Sequence, residues 1–271
     1  MRVDTHVHSA TSPDSEMLPA EAIASLKKIG LGIAFTEHVD FAIPNKPDAP
    51  RGVGDFVCDF AKYPSEYEKF RSPSVALGLE LGLTTAAMGK NKNLAANDYD
   101  FIIGSVHSMD GVELYHAITG KVKEEEFTQM LDTSPRSCIA RYLTYAREMV
   151  ESSDFFDAFG HIDYIARYHH GLRAEFSYEN FPEEFDGLLK ALAANEIALE
   201  INTYLFGGFA EKVMPWICRR FAQLGGRFCT IGSDAHDVSQ LGRHFPSAYE
   251  MAETSGLTAV YYKERKPIRC G

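Results

Sequence analysis

Seven short apolar segments alternate with stretches of helical spacing along the whole chain, and this alternation limits the fold more than any other feature. The strand-like segments are residues 2–8, 32–38, 75–82, 101–108, 157–165, 198–205 and 227–234. Helical stretches are read at 19–29, 56–71, 124–131, 139–151, 182–195 and 213–224. In the first of these, Ala22, Ile23, Leu26 and Ile29 form one apolar stripe, with Pro19 just inside the start and Gly30 just past the end. Strands alternating with helices pair in parallel through crossover connections, giving either an open sheet or a closed barrel. The first strand ends in His6-Val7-His8 without Gly-x-Gly-x-x-Gly, which removes the dinucleotide-binding signature of open sheets. Seven strand–helix units in 271 residues match the size of an α/β barrel. No linker, low-complexity run or charge block divides the chain, so a single domain over 1–271 is expected. Residues 45–55 read as a loop, and the Lys- and Asn-rich 86–97 as an irregular insertion with a short helix.

Charge and cysteine usage narrow the setting. The chain carries 27 Lys+Arg against 38 Asp+Glu, a net charge of −11. That balance argues against bulk nucleic-acid binding, which rests on basic patches, and leaves room for a local basic pocket holding a small phosphorylated ligand. Mean hydropathy is −0.20 and no apolar run approaches the ~18 residues of a membrane span. The N-terminus reads as a folded strand and not as a signal peptide. Cys58, Cys138, Cys218, Cys229 and Cys270 are odd in number, scattered and free of any Cys-x-x-Cys pair, so neither a disulfide framework nor a thiolate zinc site is expected. A cytoplasmic monomer or small homo-oligomer is the expectation.

Histidines and carboxylates gather at the strand ends. His6 and His8 close the first strand, His38 the second, Glu80 the third and His107 the fourth; His161 follows the fifth, and Asp234-Ala235-His236 ends the seventh. The C-terminal rim is where an α/β barrel places its chemistry, so these residues would meet in one pocket. A lone strand-end His is more often a hydrogen-bonded core residue than a ligand, but six of seven ends carrying ligand types point to a metal centre. Nitrogen and oxygen donors without thiolates suit zinc, manganese or iron, and the donors are too many for one tetrahedral ion. Asp14, on the loop after the first strand, is either a further oxygen ligand or a turn and cap residue.

In order, spacing and length, these motifs resemble the PHP (polymerase and histidinol phosphatase) family, most of all its histidinol-phosphatase branch. The resemblance implies a distorted (β/α)7 TIM-like barrel with the metal site at the C-terminal rim of the strands. It implies three divalent ions: one held by His6, His8, Glu80 and Asp234, a second by Glu80, His107 and His161, and a third by Asp14, His38 and His236. Arg167 falls where such relatives place a phosphate-binding arginine. The implied reaction is phosphomonoester hydrolysis by a metal-bridging hydroxide, with L-histidinol phosphate as substrate and with Glu80, Asp234 and His236 as the catalytic residues.

One segment departs from the branch. Relatives tend to run from the counterpart of Glu200-Ile201-Asn202-Thr203 into Ser-Gly and a basic residue, whereas this chain continues Tyr204-Leu205-Phe206-Gly207-Gly208. Lys212 or Arg243 are the candidates to replace that cation. Asn202 and Glu113 complete the substrate-side candidates, Glu113 as a partner for a cationic amine or imidazole. The departure keeps open another small phosphomonoester or a nucleotide as substrate. His-x-His on a first barrel strand also occurs in amidohydrolase-type C–N hydrolases, which Glu80 and the Asp234/His236 pair disfavour. A non-catalytic metal-binding barrel is opposed by the complete set of costly polar groups. His116, His169, His170 and His244 lie off the strand ends and read as surface or pocket-wall residues, and Trp216 reads as packing.

Overall fold

A computed structural model of the protein describes residues 1–41, 55–115 and 134–271. The expected helix at 124–131, His116 and all but the last residue of the expected loop at 45–55 lie outside the described residues. Twelve strands are seen among the described residues: β1 Val3–Val7, β2 Gly32–Asp40, β3 Phe56–Val57, β4 Val75–Gly82, β5 Phe101–Ser105, β6 Ser108–Met109, β7 Val112–Glu113, β8 Ala158–Phe159, β9 Ala198–Asn202, β10 Phe228–Gly232, β11 Thr258–Lys263 and β12 Lys266–Arg269. Helices are α1 Pro19–Lys28, α2 Tyr63–Tyr67, α3 Met88–Ala95, α4 Pro135–Glu151, α5 His170–Glu175, α6 Pro182–Ala194, α7 Phe209–Gln223 and α8 Phe245–Thr254.

The main sheet runs β1-β2-β4-β5-β8-β9-β10-β11-β12, parallel up to β11, with β12 antiparallel to β11 and β3 antiparallel on β2. This is an α/β fold on a largely parallel sheet, whose strands are buried on both faces as crossover helices demand. Side chains alternate along each strand. On β2 and β4 the set Ile33, Phe35, Leu77, Leu79 and Leu81 joins the large core that includes the buried faces of α1 and α4. On the opposite face Ala34, Ala76, Phe101, Ile103, Ala158 and Ala198 form a small apolar floor. Further along the same alternation stand Thr36 and His38 on β2, and Gly78, Glu80 and Gly82 on β4. Parallel register pairs His38 with Glu80, so the C-terminal ends of neighbouring strands bring their polar residues to one level. β11 crosses under the floor: Tyr262 stacks on Phe101 with ring centroids 5.0 Å apart, and Lys263 and Arg265 bind Asp100 and Asp157.

The first and last of the seven predicted strands meet. Val7 bridges Ala235 in parallel, the His8 amide donates to the Ala235 carbonyl at 2.9 Å, and the Asp234 amide donates to the His6 carbonyl at 2.8 Å. Fully buried Asp4 reinforces the join, accepting from the Ser233 amide and hydroxyl at 2.9 and 2.6 Å.

Several boundaries differ from the sequence expectation. The fifth strand is only Ala158–Phe159, because the chain turns at His161, which has φ 20°. The expected helix at 56–71 divides: Phe56 and Val57 pair with Asp40 and Val39 as an added strand, and helix begins only at Tyr63. α4 starts four residues early because Pro135 occupies its first turn and Ser134 Oγ caps the Ser137 amide. The hairpin β6–β7, the short helix α5, and α8 with β11 and β12 have no counterpart in the sequence reading.

Candidate metal centre

Every strand-end residue singled out in the sequence arrives at the C-terminal end of the sheet. His6 Nε2 and His8 Nε2 lie 3.4 and 3.5 Å from Glu80 Oε2, and 3.7 and 3.5 Å from Asp234 Oδ1. The other Glu80 oxygen faces a second group: Oε1 is 2.8 Å from His161 Nε2 and 3.3 Å from His107 Nε2, and those two nitrogens are 3.2 Å apart. A third group forms at the rim, where Asp14 Oδ2 lies 3.4 Å from His38 Nε2 and 3.1 Å from His236 Nε2. Glu80 thus joins the first two groups, and His38 Nδ1, 2.9 Å from Glu80 Oε2 without hydrogen-bond geometry, links the third.

These atoms fit divalent cations. His6 Nε2, His8 Nε2, His38 Nδ1 and Glu80 Oε2 are buried without a hydrogen-bond partner, although a buried polar atom in a native fold ordinarily has one. The orphaned atoms sit where donors from different strands converge. A set of imidazoles and carboxylates with no thiol matches zinc, manganese or iron.

Burial opposes charge throughout the centre, and the mutual attraction of the groups decides their state. Carboxylates outweigh the burial of His6 and His38 and raise both pKa values well above the ordinary imidazole value, and Asp40 and Glu80 raise His107 to about 10. Burial, with His38 and His236 beside it, holds His8 well below that value, and burial also lowers His161. Burial would raise Glu80 and Asp234, yet the imidazoles around Glu80, and His6 and Arg167 around Asp234, hold both well below the usual carboxylate range.

A second tier of side chains, unseen in the sequence, aims the first. Glu200 is fully buried; its Oε1 lies 2.5 Å from His6 Nδ1, and its Oε2 accepts from the His161 amide at 2.7 Å and from Asn202 Nδ2 at 3.1 Å. Asp40 Oδ1 accepts from His107 Nδ1 at 2.8 Å. Ser12 Oγ donates to Glu37 Oε2 at 2.6 Å, lies 3.3 Å from His8 Nδ1 and accepts from the His38 amide at 3.0 Å. Carboxylates behind ligating imidazoles fix the tautomer that leaves the outer nitrogen bare. Period-two spacing was the available signal, since Asp4 precedes His6, Asp40 follows His38 and Glu200 precedes Asn202, each by two residues.

The centre opens into a cavity of about 360 Å³ whose walls include Asp14, His38, His107, His161, Asp234 and His236. Phe56, Tyr115, Tyr164, Tyr168 and Tyr204 give it an aromatic collar. Of the substrate-side candidates, Arg167 and Glu113 line the cavity. Arg167 is buried, donating to Asp234 Oδ2 at 3.0 Å and to Asp163 Oδ1 at 3.4 Å. Asn202 does not line it: its amide donates to Glu200 and Asp234 and its oxygen accepts from the Tyr204 amide, so it braces Asp234 from behind. His169 caps α5 with its Nδ1, away from the centre. Trp216 packs edge-on against Phe185, as a core residue does.

Comparison with known proteins identifies relatives of this chain. Residues 4–204 match the PHP domain family model. The chain is 35% identical over 269 residues to a protein of Clostridium acetobutylicum named "Probable histidinol-phosphatase", covering 98% of both chains. It is 31% identical over 246 residues to the histidinol-phosphatase of Lactococcus lactis subsp. lactis, covering 87% of this chain and 84% of the other. The crystal structure of the Lactococcus lactis histidinol phosphate phosphatase, complexed with zinc, L-histidinol and phosphate, superposes with a TM-score of 0.83 at 28% identity over 99% of each chain.

Proposed function

The chain belongs to the PHP-domain family, and from that premise we propose that it is a metal-dependent phosphatase that hydrolyses L-histidinol phosphate to L-histidinol and phosphate. The observation that carries this reading is the convergence of nine ligand-type side chains in one centre, six of them lining the cavity, with Glu80 joined to two groups of them. We assign three divalent ions to this chain: one to His6, His8, Glu80 and Asp234, one to Glu80, His107 and His161, and one to Asp14, His38 and His236. Bound ions supply the charge neutralisation and Lewis acidity that an inert phosphomonoester requires. The side chains supply the rest. Arg167 faces the cavity and takes phosphate oxygens, and a planar guanidinium suits that geometry. Asp234, kept anionic by His6 and Arg167, stands at the cavity wall and orients the attacking water. A proton reaches the leaving oxygen from the cavity wall, where Asp234 and His236 are the candidate donors. Glu113 and the tyrosine collar face the organic half of the substrate.

The Val7–Ala235 bridge and the amide bonds beside it support a distorted (β/α)7 barrel that forms a single domain over 1–271, with the cavity at its C-terminal rim. The five free cysteines favour a reducing compartment, the cytoplasm, and the net negative charge disfavours nucleic acid as a partner. No helix among the described residues is long and apolar enough to cross a membrane. Phosphate release from histidinol phosphate, compared with an aryl phosphate on manganese-loaded protein, tests the assignment. A kcat/KM of ~10⁴ M⁻¹s⁻¹ or more for histidinol phosphate, far above the aryl ester, is expected. Turnover of the aryl ester alone would refute the substrate and keep the reaction class.

A further inference from the structure

The walls of the cavity are short of free cationic side chains. Arginine and lysine contribute one lining residue among those described, Arg167, and its guanidinium is already shared between Asp163 and Asp234. Asp14, Asp40 and Glu113 stand on the same walls. Arg243 is differently placed. Among the described residues the single hydrogen-bond partner of its guanidinium is the Ser233 carbonyl, which accepts from Nη2 at 2.9 Å. Its Nε is buried with no partner. The guanidinium lies on the face of Tyr204, 4.5 Å from the ring centre, and that of Arg167 lies 5.5 Å from the same ring. Tyr204 itself lines the cavity.

The loop bearing Arg243 is anchored from below. Asp4 accepts from the Ser233 amide and hydroxyl and also from the Gly242 amide at 2.9 Å, so one buried carboxylate holds both sides of the turn. Gly242 has φ 64°, a conformation that suits glycine. Lys212, the other candidate for a second cation, is exposed on α7. We infer that Arg243, steered by Tyr204, is the second cation of an anion subsite shared with Arg167, and that it binds a non-ester oxygen of a phosphate group. A guanidinium with an unsatisfied N–H, stacked on an aromatic ring beside a cavity whose other arginine is neutralised, is suited to a doubly charged oxyanion.

The inference rests on the phosphatase reading only for the substrate, so its test uses inorganic phosphate as the probe. Phosphate binding to the manganese-loaded full-length chain is titrated calorimetrically for wild type, Arg243→Ala, Arg243→Lys and Lys212→Ala, with metal content measured on each sample. Arg243→Ala is expected to weaken phosphate binding about tenfold or more at unchanged metal content. Arg243→Lys should recover part of the loss, and Lys212→Ala should match wild type. In turnover, Arg243→Ala should raise KM more than it lowers kcat. Unchanged phosphate affinity in Arg243→Ala would overturn the inference, and so would loss of metal in step with loss of phosphate, which would make Arg243 a structural support. Should Arg243→Ala not fold, a wild-type affinity in Arg243→Gln overturns it and a matching loss supports it. A wild type that binds phosphate but hydrolyses no phosphomonoester would defeat the proposed function and leave this comparison decisive.

Discussion

Glu200→Gln is the most informative substitution for the metal centre, because it changes one atom type and very little volume. Glu200 has two acceptor oxygens with three donors around them: His6 Nδ1 on Oε1, and the His161 amide and Asn202 Nδ2 on Oε2. A glutamine offers one oxygen and one NH2. If its NH2 faces His6, then Nδ1 must accept, and the ring proton moves to Nε2, the atom that faces Glu80 and Asp234. If its oxygen faces His6, the NH2 confronts two other donors. Either orientation fails, and the failure falls on the metal-facing nitrogen or on the backbone at His161. Losing such a carboxylate behind a ligating imidazole weakens metal binding by about 10–100-fold, or ~1.4–2.7 kcal/mol. The unsatisfied buried donor adds ~1–3 kcal/mol of lost stability. Glu200→Ala leaves all three donors bare and should cost more, about 3–5 kcal/mol. Zinc competition against a chelator of known affinity, with thermal unfolding of the metal-free form, measures both losses. A Glu200→Gln protein with wild-type zinc affinity would refute the reasoning that Glu200 sets the His6 tautomer.

Other outcomes follow from the same geometry. Arg167→Ala should weaken phosphate binding and also destabilise the chain by about 3–5 kcal/mol, because Asp163 is left buried beside a missing partner; denaturant unfolding reads the second effect. In chelated protein His107 sits at about 10, above its ordinary value near 6.5, so its stabilising contribution is complete below pH 6.5 and lost as pH rises toward 10. The melting temperature of the chelated form should therefore fall across that window, and His107→Gln should flatten the fall. Asp14→Ala should lower metal content by one ion per chain with little change in folding, since the Asp14 side chain is 38% exposed; elemental analysis decides. Gly232→Ala would drive its methyl group into His6 and to 2.7 Å from Glu200 Oε1, and loss of metal with loss of stability is expected in calorimetry.

The candidate ligand set is legible because strand periodicity and residue type coincide: His6, His8, His38, Glu80 and Asp234 all lie at or just past strand ends, and parallel register does the rest. The bracing residues were less legible. Asp40 and Glu200 share their strands' alternation with His38 and Asn202, but a carboxylate inside an apolar strand has no signature that separates support from ligation. Asn202 illustrates the converse, since its position at a strand end says nothing about which way its amide hydrogen bonds run. The strand β3 was misread as helix because Phe56 and Val57 are held by pairing with β2, a long-range contact that local propensity does not encode. β11 and the turn after it are held by Asp100 and Asp157, more than a hundred residues upstream, a dependence that local sequence does not announce.

The meeting of β1 with the loop after β10 also bears on the order of biosynthesis. Asp234 and His236 are made more than two hundred residues after His6 and His8, their neighbours in the centre. At ~5–20 residues per second the histidines wait on the order of ten seconds or more for their partners. During that interval the emerging chain holds the pieces of the centre but not the strand junction that assembles them. The first and third groups are therefore complete only once residues 234–236 are made, and a nascent chain stalled before residue 234 should bind zinc at those two groups no better than isolated histidines do.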